Sequence, residues 1–306
     1  MGRCMTKSFV VIAQSHWHGK DLFRIVSPVK TSRKPVCLLF DNGSLHAAST
    51  TSLRRIADWL RARLEGVDVR AVSLLHSSTI AAAELGGEQA ELLEPALATA
   101  LARGENDFVL LPLFFGPSAA VTGYVPERLQ ALRKKFPDLR ARVARWLVDV
   151  DAAGDTRIAN ILAGGVRRAV AGAGWSRAKV VLVDHGSPQR SVAAVRDFLG
   201  GQLRQLLGAE AAVASMERRP GPEFAFTEPL LADLLGHENF RRGEVVVALQ
   251  FLSPGRHAGP GGNIAEICAG AMRAQPGLQI VTTGLVGENE QLADVLADRY
   301  WEKLKD

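Results

Sequence analysis

The residues best suited to chemistry are two histidines held in glycine-containing turns. His185 lies in KVVLVDHGS (179–187), and His257 lies 72 positions later in LQFLSPGRHAGPGGN (249–263). Each follows an apolar run that reads as a strand, so each imidazole is expected just beyond a strand's C-terminal end. Imidazoles bind divalent transition metals and exchange protons near neutral pH. A carboxylate, Glu217 in SMERR (215–219), ends a third such run. Two readings of Glu217 stand at this stage: a metal-binding and proton-accepting partner of the histidines, or an ion-pair partner of Arg218 or Arg219. The loop GRHAGPGGN carries four glycines, Gly261 and Gly262 among them. They permit close backbone approach to a ligand, and the loop opens a helix whose amide end can receive an anion. No P-loop is present, nor a GxGxxG directly after the first strand, so nucleotide binding has little support.

Alternating strands and helices must position these groups. In a first stretch, strands are expected near 36–41, 68–75, 107–114 and 141–150, with helices near 47–64, 87–103, 124–135 and 155–171. In a second, strands fall near 179–184, 211–217, 244–251 and 278–285, with helices near 190–207, 227–236, 262–273 and 288–304. Leu53, Ile56, Ala57, Leu60 and Leu64 recur at helical spacing, as do Val195, Phe198, Leu199 and Leu203. The expected fold is α/β: two tandem flavodoxin-like units, each a four-stranded parallel sheet flanked by helices. First and third strands are often neighbours in doubly wound sheets, which bind ligands beyond the strand ends. That would bring His185 and His257 across one cleft.

The two stretches are copies. PVCLLFDNGS (35–44) repeats the first motif and LPLFFGPSAAVTGYV (111–125) the second, with Asn42 opposite His185 and Ala119 opposite His257. The separations, 143 and 138 positions, differ by one small loop change. His76, in LLHSS, stands near the first copy's counterpart of Glu217 and is read as structural. The expected organisation is an extension at 1–35, a degenerate domain at 36–173 and a chemically equipped domain at 178–306, with Gly172, Gly174 and WSRAK at the seam. The extension is either an arm or an upstream start. Its WHGK (17–20) is either a metal binder or a solvated tail. The degenerate copy is read as a cleft wall, a scaffold or an interface.

Hydrophobic content of 47% against 23% charged residues is that of a globular chain rather than a disordered one. No apolar run approaches the roughly 20 residues of a membrane span, and FVVIA (9–13) is short for a secretory signal, so a cytoplasmic protein is expected. A net charge of +5, without a dense basic block, gives no nucleic-acid signature and is compatible with an acidic small substrate. Cys4, Cys37 and Cys268 lack metal-type spacing.

With VLVDHGSP (181–188), SMERRPGPEFAFTEPLL (215–231) and FLSPGRHAGPGGNIAEI (251–267), the chain resembles the sirohydrochlorin chelatase family in its long, two-domain form, over about residues 36–306. The resemblance implies insertion of Co²⁺ or Fe²⁺, as substrate, into sirohydrochlorin, without ATP or a required cofactor, in cobalamin or siroheme biosynthesis. It implies His185, His257 and Glu217 as the metal- and proton-handling set. For the polycarboxylate macrocycle it implies a rim of Arg190, Arg218, Arg219 and Arg256 with Ser187, Gly261 and Gly262. The loop ends in Asn263 where the family is expected to carry Asp, removing a charge beside His257. Other readings are a tetrapyrrole or metal carrier and a chelatase for another metal or tetrapyrrole. The fused chain is expected as a monomer or a homodimer.

Overall fold

The computed structural model describes residues 34–209 and 211–306; WHGK and nearly all of the expected extension lie outside these. The first half contains β1 (Val36–Asp41), α1 (Ala47–Arg63), β2 (Val69–Ser73), α2 (Leu93–Ala102), β3 (Asp107–Pro112), α3 (Val125–Lys135), β4 (Arg140–Val143) and α4 (Arg157–Gly172). The second contains β5 (Lys179–Asp184), α5 (Arg190–Leu207), β6 (Ala211–Ser215), α6 (Leu231–Gly236), β7 (Gly243–Leu249), α7 (Asn263–Ala274), β8 (Leu278–Thr282) and α8 (Leu292–Lys305). The sheets are parallel, ordered β2-β1-β3-β4 and β6-β5-β7-β8. First and third strands are neighbours in both, as a doubly wound sheet requires.

Helices α2, α6 and α8 begin at least four residues later than expected. Residues before α2 and α6 are drawn into extended backbone at the sheet edges, where Ser73 pairs with Leu92 and Ser215 with Leu230. Several expected strands also overrun. Beyond β3, β4 and β7 the apolar residues Phe115, Leu147, Val148 and Leu252 leave the ladder and pack into a core common to both halves.

That core follows from the two-residue period of the strands. In sheet 1, Cys37, Leu39, Val109 and Leu111 face the common core, while Leu38, Phe40, Phe108 and Leu110 face the outer side with α2 and α3. In sheet 2, Val180, Leu182, Val246 and Ala248 face inward, and Val181, Val183, Val245 and Val247 pack with α6 and α7. Between the sheets lie α1, α4, α5 and α8. Their packing is reciprocal: α1 rests on α8 and α5 on α4, while α4 covers β7 and α8 covers β3. Each half's last helix therefore closes the other half's sheet. Residues 34–306 form one compact unit, and none of the described helices is long and apolar enough to cross a membrane.

Candidate active site

The turn after β5 is built around Asp184. Its carboxylate accepts from Gly186 N at 3.1 Å and from Ser215 Oγ at 2.7 Å. Behind it the buried Arg196 donates to Ser215 Oγ (2.6 Å) and to the carbonyls of Thr227 (3.0 Å) and Phe226 (3.2 Å). Burial holds the Asp184 carboxyl above the usual carboxylate range, against the pull of Ser215 and Arg196. Gly186 has φ +89°, and a Cβ there would lie 1.9 Å from Glu217 O. Only glycine allows this approach, which brings the turn of His185 against the strand end carrying Glu217.

These turns bring the histidines together. The rings of His185 and His257 meet edge to face, centroids 4.6 Å apart at 77°. Glu217 Oε1 lies 3.4 Å from His185 Nε2, with the two side chains 58% and 47% exposed. Arg218 turns away, 3.3 Å from Glu228 and 3.2 Å from Gly221 O. Glu217 thus faces an imidazole, not the adjoining guanidinium.

Each ring has one nitrogen committed. His185 Nδ1 donates to Gly186 O at 2.9 Å, and His257 Nδ1 to Asn263 Oδ1 at 2.9 Å. A carbonyl oxygen only accepts, so Nδ1 carries the proton and the Nε2 lone pair of each neutral ring is free. At His185, that lone pair and a carboxylate oxygen face one another as two acceptors, a donor pair suited to a metal ion. His257 is held below the usual imidazole range, first by partial burial and then by His185, with Asn263 and Glu217 opposing. Among the described residues no three His, Cys, Asp or Glu side chains form a ready metal cage. The site is an open pair of rings with a nearby carboxylate.

The remaining candidates are placed unevenly. Arg256 and Arg219 are exposed, and Arg190 lies over the Phe226 ring, 4.5 Å from its centroid. Ser187 Oγ accepts from Gln189 N at 3.1 Å and so shapes the turn. Gly261 has φ +74°; a Cβ on buried Gly262 would come within 3.0 Å of the His257 backbone. These two glycines close the loop under His257. The Asp184–Ser215–Arg196 support carried one sequence signal, the repetition of Asp before both Gly-Ser turns. Arg196 carried none.

The first half repeats the frame without the functional groups. Met216 N and Glu217 N donate to Asp184 O and His185 O, while Leu74 N and Leu75 N donate to Asp41 O and Asn42 O. Asn42 is therefore confirmed opposite His185, but Leu75, not His76, is the counterpart of Glu217. His76 stands one residue further on, exposed, at φ 66°. Leu113 and Gln250 make matching bonds to Phe40 and Val183. Counted from there, Ala120 rather than Ala119 falls opposite His257. The loops then diverge, the first winding into a π-helical turn, Ala120–Tyr124, ahead of α3.

The CbiX family model matches residues 179–303, the half that carries both rings. This half of the chain is thus similar in sequence to the CbiX family. No curated protein sequence matches the chain. SirB from Bacillus subtilis with Fe³⁺ has a TM-score of 0.67 at 13% identity, covering 88% of this chain and 95% of that one. SirB from Bacillus subtilis subspecies spizizenii, in complex with cobalt, gives 0.65 at 14%, covering 89% and 96%. CbiX, described as the terminal enzyme for siroheme biosynthesis in denitrifying bacteria, gives 0.54 at 15%, covering 88% and 99%. At these identities the likeness is one of fold. It extends over both halves, whereas the family-model match is confined to the second.

Proposed function

We propose that the protein inserts a divalent metal, Co²⁺ or Fe²⁺, into sirohydrochlorin without ATP, at the site formed by His185, His257 and Glu217, in cobalamin or siroheme biosynthesis. The observation that carries this reading is the pair of free Nε2 lone pairs beside a carboxylate, in loops that follow strand ends. Insertion exchanges one M²⁺ for two pyrrole protons, so the site must release a metal and accept protons. His185 and His257 hold the incoming ion through Nε2, and two or three nitrogen and oxygen donors without a closed cage let it leave for the macrocycle. Glu217 and the vacated imidazoles take the two protons. Arg190, Arg219 and Arg256 offer charge to the substrate's carboxylates, while the charge of Arg218 is partly used by Glu228. Metal and tetrapyrrole are both substrates, and no organic cofactor is invoked.

Purified protein mixed with sirohydrochlorin and Co²⁺ or Fe²⁺ should change the visible spectrum faster than the spontaneous reaction. His185→Ala should slow the catalysed rate by about a hundredfold or more. No acceleration by wild type with either metal would end the proposal. A second reading, a carrier of tetrapyrrole or metal without turnover, draws on the loss of both imidazoles from the first half and on Asn263 beside His257. It predicts tight binding of sirohydrochlorin with no rate effect.

A further inference from the structure

Among the described residues only three large hydrophobic side chains are exposed: Leu45 (69%), Leu75 (39%) and Val150 (39%). Two of the three stand at the first half's vestigial site. Leu75 occupies the position of Glu217, and Leu45 follows the Gly-Ser turn, where the second half has Pro188. A Cβ on Gly43 would lie 1.8 Å from Leu75 O, so the Leu45 turn and the Leu75 strand end are locked together as their counterparts are. The polar site has been replaced by an apolar one on the same frame.

The Leu45 end of this patch leads toward the loop of the second half's site. Leu45 adjoins His46, and His46 Cδ2 lies 4.0 Å from where a Cβ on Gly255 would start, in the loop carrying Arg256 and His257. The reciprocal contact, Ala119 N donating to Gln189 Oε1 at 2.7 Å, ties the first half's β3–α3 loop to the start of α5. Strand-end loops of the two halves therefore meet on both sides. An apolar patch whose neighbour His46 approaches the loop carrying exposed Arg256 and His257 suits a flat apolar ligand with an anionic rim.

We propose that Leu45 and Leu75 form a shelf for the apolar face of the tetrapyrrole, so that the vestigial site has become a substrate-binding surface of the working one. The inference rests on the chelatase reading for the identity of its ligand, but its test does not require turnover. Metal-free sirohydrochlorin would be titrated into wild type, Leu45→Asp, Leu45→Ser and Leu75→Asp, with Co²⁺ affinity measured separately on each. About tenfold weaker tetrapyrrole binding in the Leu45 variants, with Co²⁺ affinity unchanged, is the expected result. Leu45→Ser retains a small neutral side chain and guards against misfolding of the charged variants. Equal tetrapyrrole binding by wild type and both Leu45 variants would overturn the shelf. So would unchanged tetrapyrrole binding with altered sedimentation, which would assign the patch to a second copy of the chain. Wild type that binds sirohydrochlorin but fails to accelerate metal insertion would sink the chelatase reading alone, leaving the variants' binding to judge the shelf.

Discussion

The two halves share a backbone and differ in what hangs from it. Both hold an Asp whose carboxylate accepts from a glycine amide and a serine hydroxyl: Asp41 from Gly43 (3.0 Å) and Ser73 (2.7 Å), Asp184 from Gly186 and Ser215. Only Asp184 has a guanidinium behind it, Arg196 at 4.0 Å. The matching position of α1 is Leu53, buried in the common core. Burial accordingly pushes Asp41 up to about 6, with only hydrogen bonds opposing. The turn geometry is thus a property of the fold, kept in both copies. The charge that supports the turn and the imidazoles it displays are kept in one.

The largest effect should come from separating the halves. Residues 178–306 alone would expose the face of sheet 2 that α4 covers and the side of α8 that β3 covers. This fragment should fail to give a folded monomer, by circular dichroism and sedimentation. A folded, monomeric fragment would break the picture of exchanged helices.

Glycine substitutions come next. Gly43→Ala and Gly186→Ala each place a Cβ within 2 Å of a carbonyl oxygen at positive φ. Each should cost about 3 kcal/mol or more in denaturant unfolding, roughly equally. Only Gly186→Ala should reduce chelation beyond what lost folding explains, since only that turn presents a histidine. An equal loss of activity per folded molecule would assign catalysis to both halves.

Burial raises both aspartates, but neutralising them at pH 7 should have different effects, because only Asp184 faces a buried guanidinium. The folded-state value of Asp41, about 6, lies above the unfolded 3.8. Between those values the folded state binds more protons, so stability falls as pH rises through this window, by at most about 3 kcal/mol. Asp41→Asn should flatten that slope and leave pH 7 stability unchanged or higher. Asp184→Asn removes the anion facing Arg196 and should destabilise at pH 7 by about 1–3 kcal/mol. Denaturant midpoints from pH 4 to 7 measure both.

The smallest effect concerns the neutral partner of His257. Because its ring is held below the ordinary imidazole range, chelation should persist as pH falls slightly below neutrality and then decline as Nε2 protonates. Asn263→Asp places an anion on Nδ1–H and favours the imidazolium. The acid limb of the rate profile should move to higher pH. A limb unmoved by Asn263→Asp would mean that His257 is not the group titrating.

Much of this was legible in the chain itself. The β-branched runs, the three- and four-residue apolar spacing and the doubled Asp-x-Gly-Ser dictated two parallel sheets and placed both histidines at strand ends, because those patterns are set by local periodicity and turn chemistry. Tertiary packing decided the rest. Which carboxylate faces His185, which oxygen holds Nδ1 of each ring, that Leu75 rather than His76 replaces Glu217, and that α4 and α8 exchange sheets all depend on contacts between residues far apart in sequence. A one-residue step at a strand end moves a side chain from one direction to another, and no periodicity records it. The Arg196 support belongs with these, because a buried arginine within an amphipathic helix reads as surface until the carboxylate it faces is known.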